Sequence, residues 1–129
     1  MKVAIELMNM WSAAGYRQSN GMTWAIIVPA NEVIAYGDDS DALLNAEGAD
    51  ITEEMLSDVQ HRTLHRGELT WKYTTGVLDV PDGHVVIQKE WINICTDDKP
   101  SRRAWIVNVD KSMKKLYKER AEEYARLAA

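Results

Sequence analysis

From Leu69 to Val109 the chain reads LTWKYTTGVLDV, PDG, HVVIQKEWINIC, TDDKPSRR and AWIVNV. Apolar runs rich in β-branched and aromatic residues, broken by short polar segments, are the pattern of three or four strands joined mostly by hairpins. Strands so closely joined pair antiparallel, because a parallel neighbour needs a crossover of a dozen or more residues. This segment constrains the fold more than any other, since whatever precedes and follows it must cover an antiparallel sheet.

The remaining segments are read for their fit to that sheet. TWAIIVPANEVIAYG has the form of a further hairpin, with Pro29 at a turn around PANE. Across residues 1–14, Lys2, Glu6, Asn9 and Ser12 recur at helical spacing on an otherwise apolar segment, and Gly15 is a plausible stop. The alternative is a strand, KVAIEL, with Val3, Ile5 and Leu7 on one face; the helix is favoured because its polar spacing extends further. RQSNG then reads as a loop. DDSDALLNAEG is a short helix with Ser40 as cap and Gly48 as stop. In DITEEMLSDVQHRTLHRG, Asp50 and Glu53 have capping-box spacing, acids occupy the first turn, and Arg62, His65 and Arg66 occupy the last, so a second helix is expected. DKSMKKLYKERAEEYARLAA closes the chain as an amphipathic helix capped by Asp110. The expected architecture is a single α+β domain over residues 1–129: an antiparallel sheet of about five strands, helices packed on one face, and the amphipathic C-terminal helix.

No apolar run approaches the roughly 18 residues of a membrane span. The richest stretch, MKVAIELMNMW, is interrupted by Lys2, Glu6 and Asn9 and does not form a signal peptide either, so a cytoplasmic protein is expected. The single cysteine, Cys95, has no internal disulfide partner and ends the apolar run WINIC, where a buried hydrophobe is the commoner role than a nucleophile. The phosphate cradle, the dinucleotide-binding turn and the nucleophile elbow are all absent from the sequence. No catalytic residue, metal ligand or cofactor is assigned.

Two motifs nonetheless call for a decision. His61 and His65 at i, i+4 would share a helical face as metal pairs do, but Arg62 stands where a zincin has its glutamate, and Arg62 and Arg66 oppose a cation. A metal-dependent enzyme using His61, His65, His84 or Cys95 is therefore the third-ranked reading. An EF-hand comparison around Gly48 fails on register, because Leu43 falls at the first ligand position.

The aromatic residues support a different ligand class. The chain has five Trp, five Tyr and no Phe, and Trp71 and Tyr73, two apart, share one face of their strand. With Trp105, and with Arg102 and Arg103 to hold a phosphate, they form a candidate site for a nucleotide-like molecule. The cations of the C-terminal helix pair with its acids at i, i+4, for example Lys115 with Glu119, which reads as a self-supporting solvated face.

Charge distribution supports the leading reading. Residues 31–60 carry nine acids and no Lys or Arg, in a chain of net charge −5. General nucleic-acid binding is not expected of such a chain. The acidic segment, especially Asp38, Asp39, Asp41, Glu53, Glu54 and Asp58, suits a protein target with a basic surface, where complementarity sets specificity and on-rate. The expected function is a small non-enzymatic interaction protein, an inhibitor or adaptor of the kind encoded by phages and mobile elements. The surplus apolar surface of the N-terminal segment adds a possible homodimer contact.

Overall fold

A computed structural model of the chain describes residues 1–14, 17–37, 39–66, 69–94 and 101–107. Seven strands form one antiparallel sheet: β1 (Lys2–Ala14), β2 (Arg17–Pro29), β3 (Ala49–Asp50), β4 (Ser57–Arg66), β5 (Leu69–Asp79), β6 (His84–Ile94) and β7 (Ser101–Ile106). Their lateral order is β4-β5-β1-β2-β6-β7, with two-residue β3 paired to β2. Among the described residues the helical elements are α1 (Ala30–Val33), a 3-10 turn at Ile34–Tyr36, α2 (Ser40–Asn45) and a second 3-10 turn at Glu53–Met55.

This overturns the α+β expectation. Residues 1–14 are not a helix but β1, a central strand with β5 on one edge and β2 on the other. Val3, Ala4 and Ile5 of this strand are all buried within the chain. Strands covered on both faces lose the alternation that would have identified them. Residues 50–66 are not a helix either: Asp50 belongs to β3, Glu53 and Glu54 start a single 3-10 turn, and Ser57–Arg66 is strand β4 on the edge of the sheet. RQSNG is the start of β2, and the expected hairpin is absent: Pro29 ends β2, and Ala30–Val33 and Ile34–Tyr36 are helical instead of a turn and a second strand. α2 lies where expected, but its cap is Asp39, whose carboxylate accepts from the amides of Asp41 and Ala42. The amphipathic helix expected over residues 110–129, Gly15 and Cys95 lie outside the described residues.

The PDG turn is present, but it does not join neighbouring strands. His84 N–H donates to the Pro81 carbonyl at 3.2 Å, and Gly83 sits at φ +75°, a region open to glycine. Yet β5 and β6, which this turn connects, have β1 and β2 between them in the sheet. In a flat sheet that separation is roughly 14 Å, three strand spacings, and a tight turn spans under about 7 Å. The sheet therefore folds over itself at this end. β1 and β2 stop pairing at Met8–Thr23, leaving residues 2–7 of β1 with β5 and residues 24–29 of β2 with β6. The two parts then stack: Val3, Ile5 and Leu78 share one buried cluster with Ala25 and Val86, together with Ile51, Val80 and Val107. The Gln88 side-chain amide donates to the carbonyl of Glu6, two residues past the last β1–β2 pair.

A second cluster lies on the other side of β2 and β6. Ile26, Val28, Ile87 and Ala104 are covered there by Val33 and Leu43 from the β2–β3 connection. The Ala104 amide donates to Ser40 Oγ at 2.9 Å, which fixes α2 to β7.

Two glycines permit the closest backbone approaches. A Cβ at Gly48 would run into the carbonyl oxygen of Ile27 and the Val28 side chain. At Gly76, opposite the irregular start of β4, it would lie 2.8 Å from Leu56 Cβ and 3.0 Å from the Ser57 carbonyl oxygen. Gly76→Ala should lower the urea midpoint by the equivalent of about 1–3 kcal/mol, the usual cost of overpacking, with the m-value unchanged. An unaltered midpoint would mean that β4 does not press against β5 there.

Candidate functional site

The strand conformation of β4 settles the histidine pair. On a helix, residues four apart sit one turn apart; on a strand they are about 13 Å apart along the chain. His61 instead contacts Glu53 Oε1 through Nε2 at 2.8 Å. With that nitrogen as donor, Nδ1 is left to accept from the Thr74 hydroxyl at 3.3 Å. His65 Nδ1 lies 3.2 Å from Thr70 Oγ1. His84 Nδ1 contacts the Asp82 carbonyl oxygen at 2.9 Å, in the turn before β6. Among the described residues no three His, Cys, Asp or Glu side chains gather to hold a metal ion.

The acids of residues 31–60 occupy the connection between β2 and β4 and the first residues of β4. Glu32, Asp39, Asp41, Glu47, Asp50, Glu53, Glu54 and Asp58 are all exposed, and Asp38 lies outside the described residues. Several also have local structural work. Asp39 caps α2. Hydrogen bonds from its own backbone amide and from the Thr52 side chain hold the Glu54 carboxyl below the usual carboxylate range. Asp58 sits at φ +51°, where aspartate is better tolerated than most residues, next to a β-bulge that leaves one extra residue in β4 between the Ser57–Val77 and Gln60–Thr75 pairs. Among the described residues only Glu53 of this group joins a salt bridge.

The aromatic and arginine candidates do not converge. Trp71 and Tyr73 are on β5, whereas Arg102, Arg103 and Trp105 are on β7, with β1, β2 and β6 between them. That is roughly 19 Å of sheet. Directly opposed residues of an antiparallel pair share a face, so the registers trace each side across the strands. One row runs Arg62, Tyr73, Met8, Thr23, Glu90, Arg103. Along it, Arg62 stacks over Tyr73 at 4.8 Å and pairs with Glu6 at 2.8 Å. Arg103 stacks over Trp105 at 4.9 Å and reaches both carboxylate oxygens of Glu90, at 3.1 and 3.3 Å. Both arginines of this row are committed to acids of the same face, and Arg102, one residue from Arg103, belongs to the opposite face.

That opposite face was not legible from sequence, because it requires the register. A second unbroken row runs Thr63, Lys72, Asn9, Met22, Trp91, Arg102 across all six long strands. Thr63, Lys72, Asn9, Met22 and Arg102 are exposed and Trp91 is half-buried. His61 and His65 flank it on β4, Thr70 and Thr74 on β5, Asn20 on β2 and Asn93 on β6. No Asp or Glu stands at any of these positions, in a chain with 20 acids. Neither Lys72 nor Arg102 has a salt bridge among the described residues. The only local signal for this face was the alternation of His61, Thr63 and His65 with Arg62 and Leu64.

Lys89 shares this side of β6, but it is only 6% exposed and is committed to structure. Its Nζ donates to the carbonyl oxygens of Leu44 at 2.8 Å and Ala46 at 2.7 Å, tying the end of α2 to the sheet. Burial lowers its pKa, while the carboxylates of Asp50 and Glu47 partly offset that loss. Lys89→Met should cost about 2 kcal/mol, because two inward carbonyls lose a charged donor. Just below the ordinary 10.5, the unfolded chain holds the Lys89 proton more firmly than the folded one, so stability from this group rises with pH in that window. The advantage of wild type over Lys89→Met in denaturation should therefore grow, not shrink, as pH is raised toward 10.5.

No helix among the described residues is long and apolar enough to cross a membrane. Compared with protein-family models, curated proteins and solved structures, the chain matches none.

Proposed function

We propose that the protein is a non-enzymatic interaction protein that presents the acidic β2–β4 connection to a basic surface on a protein target. The observation that carries this reading is the exposure of all eight described acids between residues 31 and 60, with no Lys or Arg among them. Like charges crowded on one short connection repel one another, and a cationic partner relieves that repulsion while steering its own approach. The connection is a firm support for such a face. Val33 and Leu43 are buried in the second cluster, Ile51 in the first, and Lys89 and Ser40 hold α2 down.

Glu32, Asp41 and Glu54 are suitable for a test, since they are exposed, do not cap α2 and do not face Lys89. A Glu32→Lys, Asp41→Lys, Glu54→Lys variant should keep its thermal unfolding profile and lose partner capture from a native lysate. Capture by wild type should weaken as salt is raised, because exposed charges are screened within about 10 Å at 0.1 M ionic strength. Recovery of the same partner in equal amount by the variant would refute the acidic face as the recognition surface.

A further inference from the structure

We propose that the open sheet face centred on Thr63, Lys72, Asn9, Met22, Trp91 and Arg102 is a binding platform for single-stranded nucleic acid. This goes beyond the acidic recognition surface and does not depend on it, for the two use different residues.

Charge complementarity is the first argument. On the opposite side of the sheet Arg62 pairs with Glu6 and Arg103 with Glu90. On the open side Lys72 and Arg102 stand exposed near the two ends of one row, and no acid shares the surrounding positions. Among the described residues this net-acidic chain thus keeps one row without an acid, Glu53 reaching only His61 at its margin, and two exposed cations available to phosphates.

The groups between the cations favour nucleic acid over a featureless polyanion or a lipid surface. Trp91 is half-buried, which holds its indole in place, and it is paired in register with both Arg102 and exposed Met22. Such an aromatic beside an arginine can take a base on its ring and the adjoining phosphate on the guanidinium. Asn9 and Asn20 add amide donors and acceptors within the same patch. Six strands span roughly 24 Å laterally, enough for several nucleotides of an extended strand. A duplex is disfavoured, because its bases are stacked inside, where a flat sheet face cannot reach them.

Two cations make for weak, shallowly salt-dependent binding, with a log–log slope of about −1.4 for a single strand. The test is fluorescence anisotropy of labelled oligo-dT and oligo-U probes of about twelve nucleotides, titrated with the full chain at low salt. The expected result is saturable micromolar binding that falls about tenfold or more in Lys72→Glu, Arg102→Glu and by a similar factor in Trp91→Leu. The Glu32→Lys, Asp41→Lys, Glu54→Lys variant should bind the probes at least as well as wild type, which separates this result from any outcome for the acidic face. Lys72 and Arg102 are surface residues, so their double variant carries the test even if Trp91→Leu fails to fold. Absence of binding at about 10⁻⁴ M protein, or equal binding by the double reversal, overturns the proposal. It is also overturned if Trp91→Leu folds and binds normally while heparin or phosphatidylserine vesicles bind as well as the oligonucleotides, which would leave only a generic anion-binding surface.

Discussion

The architecture depends on one tight turn. Pro81 to His84 joins β5 to β6, although the sheet inserts β1 and β2 between those strands. A turn of this length and an unbroken flat sheet cannot coexist, so β1 and β2 part beyond Met8 and Thr23 and the two halves stack at that end. The stacking creates the first buried cluster, where residues of β1 and β5 meet residues of β2 and β6. It also explains the small residues at the crossing, since Ala25 is buried in that cluster and Gly76 leaves room for Leu56. The central strand β1 thus holds the fold together through long-range pairings with β5, from Lys2–Asp79 to Trp11–Thr70. Such long-range closure is entropically costly before it is rewarded, which makes this a slow-folding topology in principle.

The same folding-over divides one side of the sheet into two regions. At the stacked end the β2–β3 connection covers Ile26, Val28 and Ile87, and Lys89 fastens it by two carbonyl bonds. At the other end, from the Met8–Thr23 pair to the Ala14–Arg17 pair, β1 and β2 stay side by side, and Asn9 and Met22 are exposed on this side. The acids ride on the connection, and Lys72 and Arg102, which have no salt bridge among the described residues, stand exposed on the paired end of this face, so charge that looks merely lopsided along the chain is separated in space. The two proposed surfaces follow from that separation.

Several elements were readable in advance because their signals are local. The strands β5, β6 and β7 and the short helix α2 have β-branched runs, turn residues and a cap within a few positions of one another. Residues 1–14 and 57–66 were misread because their local signals described something else. Lys2, Glu6 and Asn9 mimic a helical stripe, but each is placed by its strand neighbours: Glu6 meets Arg62, and Asn9 belongs to the exposed row. The helix-start chemistry of Asp50, Glu53 and Glu54 is real for one 3-10 turn, after which pairing with β5 prevails. Helix propensity is a preference of tenths of a kcal/mol per residue, and a ten-residue strand pairing overrides it.

What the sequence by itself determined is the strand character of β5, β6 and β7, the acidic character of residues 31–60 and the identity of every charged or aromatic group available for recognition. These depend on composition and on contacts between near neighbours. Only the tertiary structure decided that His61 and His65 lie on an extended strand instead of one helical turn apart, that Arg103 is held by Glu90 while Arg102 faces the other way, and that Lys72, Trp91 and Arg102 form one row. Strand register is a relation between distant segments, and with a side-chain period of two, a shift of one residue would exchange the faces. No local reading of the chain contains that information.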